Sequence, residues 1–168
     1  MDKYASRFWG TDYDHNPSLT DDRIREVESI LGVTLPLELV SLLKVQNGGY
    51  TQGFVFPTNR RTSWAEDHVP FDELFGIGNS EGPSGIHNIL NSAYMTVEWG
   101  LPQRQILLAG DGHWWIALDY RGSSVPAVAW IDVEMGEEVR LANSFKEFLE
   151  ALLPCGAVDG ESGLLKAN

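Results

Sequence analysis

Cys155 is the sole cysteine in a chain of 168 residues. No intrachain disulfide can form, which suits a reducing compartment, so a packed core has to hold the fold. A chain of this length buries roughly 70% of the surface it exposes when unfolded, so such a core is available. Basic residues are scarce as well. Twelve lysines and arginines stand against 24 aspartates and glutamates, a formal net charge of −12. That excess repels phosphate backbones and anionic lipid, so direct contact with nucleic acid or a membrane surface is not expected. A basic protein would instead be drawn in; solubility alone is the other explanation of the charge. Long apolar runs are missing too: no stretch approaches the roughly 20 residues that span a bilayer. The start, MDKYASRFWG, has no apolar segment behind a basic head and does not read as a secretory signal. A cytoplasmic protein is the expectation.

What is present reads as an α+β pattern without repeats or low-complexity linkers. Residues 1–19 carry Tyr4, Phe8, Trp9 and Tyr13 in a polar stretch and read as an arm or short helix, packed on the domain or partly disordered. A helix opens near Thr20, with Asp21 and Asp22 at its positive end. Ile24, Val27 and Leu31 recur at helical spacing, and Gly32 is its stop. The next stretch, LPLELVSLLKVQNGGY (Leu35–Tyr50), starts with Pro36 in a first turn and turns Leu39, Val40 and Leu43 to one face. Asn47 and Gly48 are expected in the left-handed conformation that ends a helix, with Gly49 turning the chain into a strand.

Strands are expected at Gly53–Pro57 and, less regularly, Val69–Ile77, with Asn59–Asp67 as loop or strand edge. Asn79–Gly85 is a loop. Ile86, Ile89, Leu90, Ala93, Tyr94 and Val97 predict the buried stripe of a third helix, closed by Gly100 and Pro102. Ile106–Ala109, Trp114–Tyr120, Ala127–Val133 and Glu138–Leu141 predict consecutive strands with short turns, hence an antiparallel sheet. Ser144 and Glu147 form a capping box for a last helix with Phe145, Phe148, Leu149 and Leu152 inward, ended by Pro154. The tail past Cys155 reads as frayed. The expected fold is α+β, a mostly antiparallel sheet packed by about four helices. The expected parts are an arm (1–19), one domain (20–155) and a tail (156–168).

Four pieces of the chain are similar to a known family: LGVTLP (Leu31–Pro36), QNGG (Gln46–Gly49), LLAGDGHWWIALDYRG (Leu107–Gly122) and PAVAWID (Pro126–Asp132). In this order and spacing, from about Thr20 to Leu153, they resemble the SMI1/KNR4 family, also called the SUKH superfamily. The resemblance implies an α+β fold with a mostly antiparallel sheet. It implies protein binding rather than catalysis: bacterial members are implicated as immunity proteins that neutralise toxins, many of them nucleases, and fungal members act as interaction domains in cell-wall regulation. It supplies no catalytic residues and no cofactor. The signature positions it transfers are Leu35, Pro36, Asn47, Gly48, Gly49, Gly110, Asp111, Gly112, Leu118, Asp119 and Tyr120, expected mostly to shape the fold.

Catalytic constellations do not assemble from the residues. Asp111, His113 and Asp119 lie close in sequence, but no second histidine completes a ligand set, and Asp111 between two glycines is a natural turn residue. Cys155 has no neighbouring histidine, and Ser84 lacks the context of a nucleophile elbow. No metal, cofactor or enzymatic activity is expected. A contact surface is more suggestive. Alternation along the strands points Trp115 and Trp130, with Asp119 and Asp132, away from the helix-packed face. Aromatic anchors ringed by carboxylates suit a basic protein partner such as a toxin. The other reading buries these tryptophans under the arm or under the loop after Pro57. Glu66, Asp67, Asp72, Glu73 and Asp111 are further acidic candidates for that surface; a solvated surface is their default explanation. A regulatory or scaffold domain without a toxin partner is the alternative function.

Overall fold

The computed structural model describes residues 6–79 and 87–167. Helix α1 (Asp21–Leu31) starts where Thr20 Oγ1 accepts the Arg23 N–H at 3.2 Å and ends at Gly32, whose φ of 69° is left-handed. It buries Ile24 and Val27, while Leu31 is half-buried. Helix α2 (Leu37–Val45) follows Pro36 and buries Leu39, Leu42 and Leu43. Its end differs from the expectation. Gln46 is already extended, and Asn47 is not among the residues with positive φ.

Asn47 instead works through its side chain. Oδ1 accepts the Ile77 N–H at 2.7 Å, and Nδ2 donates to Ile77 O at 2.9 Å and to Pro17 O at 2.7 Å. One buried amide thus joins the arm, the end of α2 and the segment around Ile77. The two glycines beside it make the close approach possible. A Cβ on Gly48 (φ 94°) would lie 2.5 Å from Gly76 N, and one on Gly76 would lie 2.1 Å from Asn47 O. The Asn-Gly-Gly stop therefore belongs to the fold: it is a backbone crossing that no larger residue fits.

Strands β1 (Gly49–Pro57) and β2 (His68–Leu74) pair antiparallel in one sheet. The second sheet contains β3 (Gln105–Gly110), β4 (Trp114–Asp119), β5 (Ala127–Asp132) and β6 (Glu137–Ala142), all antiparallel, in sequence order. A register shift falls between Leu107 and Ala109, and there Leu108 O accepts the Phe75 N–H at 2.7 Å. That bond links the two sheets at the bulge. The remaining strand, β7 (Leu153–Pro154), adds to the free edge of β1. The arm shares that edge: Gly10 N donates to Tyr50 O at 2.8 Å and Tyr50 N to Thr11 O at 2.9 Å. Phe8 and Trp9 are buried, and the Trp9 indole N–H donates to Leu42 O at 3.0 Å.

Two expectations are corrected. Helix α3 (Ser92–Glu98), reached through a 3₁₀ turn (Ile89–Asn91), buries Ser92 and Met95, while Ala93, Tyr94 and Val97 are exposed; Ile86 and Ser84 lie outside the described residues. Periodicity marks an apolar face but does not say whether anything covers it. The tail is ordered rather than frayed. Asp159 Oδ2 accepts from Ser162 N and Oγ at 2.9 and 2.7 Å, and Asp67 Oδ2 accepts the Leu165 N–H at 2.9 Å. Helix α4 (Phe145–Ala151) has its cap: Ser144 Oγ accepts the Glu147 N–H at 3.1 Å. In return, the Glu147 carboxylate accepts from Asn143 N at 3.0 Å, one residue early. Phe145 and Phe148 are buried beneath this helix, with Phe148 stacked on Phe56. No helix among the described residues is long and apolar enough to cross a membrane.

Candidate protein-binding surface

Trp115 and Trp130 do not share a face. The register sets Trp115 opposite Ile131 and Ile116 opposite Trp130, and directly paired residues point to the same side. Both side chains are fully buried. Trp115 packs against Phe75 and Trp99, with ring centroids at 6.3 and 6.5 Å. Trp130 stacks on Trp114 at 4.9 Å, and Trp64 of the loop after Pro57 meets Trp114 edge-on at 5.9 Å. The expectation of two exposed anchors is therefore corrected. β4 is covered on both sides, which alternation along one strand cannot show, and the loop after Pro57 closes over the Trp114–Trp130 pair.

The exposed apolar residues of that neighbourhood are Trp64 and Met135, at 50% and 68%. Two carboxylates hold them. Asp132, itself buried, accepts from Ser63 Oγ at 2.5 Å with one oxygen and from Met135 N at 3.0 Å with the other. Glu137 Oε2 accepts from Ser63 N at 2.9 Å and from the Trp130 indole N–H at 3.2 Å. Thr62 Oγ1 accepts the Trp64 N–H at 3.2 Å and fixes the turn beneath the ring. Among the described residues no lysine, arginine or histidine forms an ion pair with Asp132 or Glu137, whereas neighbouring acids are paired: Glu66 with Arg61, Glu134 with His113, Glu138 with Arg121.

The other expected site residues scatter. Asp67 is occupied by His68 and the tail. Asp111 accepts from His113 N at 3.0 Å and is a turn residue. Asp119 sits at the end of β4 remote from Trp114, since Trp114 pairs with Asp132 and Asp119 with Ala127. Burial alone would raise the Asp119 carboxyl. Hydrogen bonds from Arg121 and Gln105, with the Arg121 charge, hold it down at about 2. Asp111, His113 and Asp119 thus do not form one site. Asp72 is exposed on β2, and Glu73 beside it belongs to a separate cluster. Among the signature positions, Leu35 and Leu118 are buried, a Cβ on Gly110 would sit 2.4 Å from Trp114 O, and Gly112 lies against the Trp99 ring. The Tyr120 hydroxyl donates to Thr34 O at 2.6 Å and ties β4 to the α1–α2 link. Trp64, Met135 and Glu137 were not expected in the site. A lone tryptophan in a polar loop was the one available signal.

Glu73 anchors the arm. Its Oε2 accepts from the Tyr13 hydroxyl at 2.9 Å and lies 3.3 Å from His87 Nδ1. The Glu73 hydrogen bond raises His87 above its ordinary 6.5; burial opposes this, and the charges of Glu73 and Asp14 add to it. Because the folded value is raised, the stabilisation is full below about pH 6.5 and is lost as pH climbs through the higher folded value. Melting temperatures of the native chain and of His87→Gln, followed from about pH 6 to pH 8, are expected to converge as pH rises. Parallel curves would show that the histidine contributes no proton-linked stability.

A family model described as SMI1-KNR4 cell-wall matches residues 21–149. No curated protein and no solved structure matches the chain.

Proposed function

Since the chain belongs to the SMI1/KNR4 family of the SUKH superfamily, we propose that it is an immunity-type binding protein that captures and neutralises a basic toxin in the cytoplasm, without chemistry of its own. The observation that carries this reading is the patch around Trp64 and Met135. Two exposed apolar residues belong to segments held by two carboxylates that have no countercharge among the described residues, in a molecule of net charge −12. Apolar anchors surrounded by unbalanced negative charge favour a positively charged protein face, and the overall field speeds its approach. Toxic nucleases are one class with such faces, because they must bind phosphate backbones.

Capture from a lysate of the native host, compared at about 0.05 M and about 0.5 M salt, tests it, because exposed charges are largely screened at the higher value. A basic protein retained at low salt and released at high salt is expected, and co-expression should relieve that protein's toxicity. Recovery of no basic partner, or retention that salt leaves unchanged, overturns the electrostatic account. A captured partner without toxicity assigns the chain to regulation instead.

A further inference from the structure

We propose that Trp64, Met135 and Glu137 form a receptor for one arginine side chain of the partner; this rests on the binding reading above and names the chemistry of that surface. Trp64 is half exposed, yet its loop is immobilised through Ser63, whose N–H and hydroxyl reach Glu137 and Asp132. The ring leans edge-on against Trp114, itself stacked on the buried Trp130. An indole presented this way loses little freedom on binding, which is what an anchor requires.

The carboxylates specify the sign of the ligand. Both Asp132 oxygens and Glu137 Oε2 accept hydrogen bonds, and among the described residues every donor is neutral. Glu137 Oε1 accepts none among the described residues. Two carboxylates, one with an open acceptor among the described residues, thus hold the residue that precedes the half-exposed Trp64, and they suit a cation. Arginine fits better than lysine, because a planar, weakly hydrated guanidinium stacks on an indole while its fork donates to a carboxylate. Met135 is exposed and unbranched, and it offers an adaptable surface for the aliphatic stem. Of the surrounding acids, Glu66 and Glu138 are already paired with Arg61 and Arg121, and Glu134 lies against His113.

The test uses the full chain with hexa-arginine and hexa-lysine as probes, followed by the indole N–H resonances in heteronuclear NMR. Hexa-arginine should shift the Trp64 signal most, and hexa-lysine should bind more weakly. Trp64→Leu should weaken hexa-arginine about threefold to fivefold, the effect of losing a cation–π contact at an exposed site. Glu137→Gln retains an acceptor for Ser63 and should also weaken it. Glu38→Gln removes the same charge on α2 and should not. An unmoved Trp64 signal, or equal weakening by Glu137→Gln and Glu38→Gln, overturns the receptor. The two proposals fail separately. A basic toxin captured equally well by Trp64→Leu removes the receptor and leaves the function. A Trp64-dependent hexa-arginine signal with no basic partner in the host removes the function and leaves the receptor.

Discussion

Asn47→Ala is expected to destabilise the chain by about 3 kcal/mol or more, the sum of its lost buried bonds. The amide is 5% exposed and makes three hydrogen bonds of 2.7–2.9 Å to backbone groups of Pro17 and Ile77. Alanine leaves the Ile77 N–H and two carbonyls without that partner. Each buried orphan costs roughly 1–3 kcal/mol, the donor most. No rearrangement offers relief, because Gly48 and Gly76 already meet at backbone contact there. In a domain of this size, 3 kcal/mol corresponds to about 6–12 °C in melting temperature. Urea unfolding monitored by tryptophan fluorescence reads the change directly. A loss below about 1 kcal/mol would mean that the amide is solvated in place and that the crossing is not the clamp described.

Trp115→Ala and Trp130→Ala are each expected to cost about 3–5 kcal/mol, as for other large aromatics emptied from a core. Both rings have no exposed surface, so neither is available as a contact. Their consequences differ. Among the described residues Trp115 makes no hydrogen bond through its indole nitrogen, and it contacts Phe75 and Trp99, so its loss is one of packing. Trp130 supports Trp114 and donates to Glu137, both of which position Trp64. At a temperature where both variants remain folded, Trp115→Ala should bind hexa-arginine like the native chain, and Trp130→Ala should bind it less well. Equal binding by both would separate Trp64 from the stack beneath it.

The legible parts of the fold are the local ones. Thr20 and Gly32 bound α1, Ser144 opens α4, and β4 and β5 fall within a residue of their alternating patterns, because caps and pleats act over a few positions. Tyr94 and Val97 carried the same kind of signal and were misleading, since an apolar stripe needs a neighbour to be buried. In the candidate surface, Asp132 was recognisable as an acidic residue, but its role was not. Ser63 and Asp132 are 69 positions apart, and nothing in either segment announces the other.

Length, charge of −12, absence of disulfides and the order of helices and strands follow from the sequence by itself. So does family membership, since short motifs persist at fixed spacing along the chain. Only the tertiary structure decided which tryptophans face solvent and which carboxylates lack a cation among the described residues. Composition fixes how much charge and apolar surface a chain holds, whereas burial and pairing depend on segments far apart in sequence coming into contact.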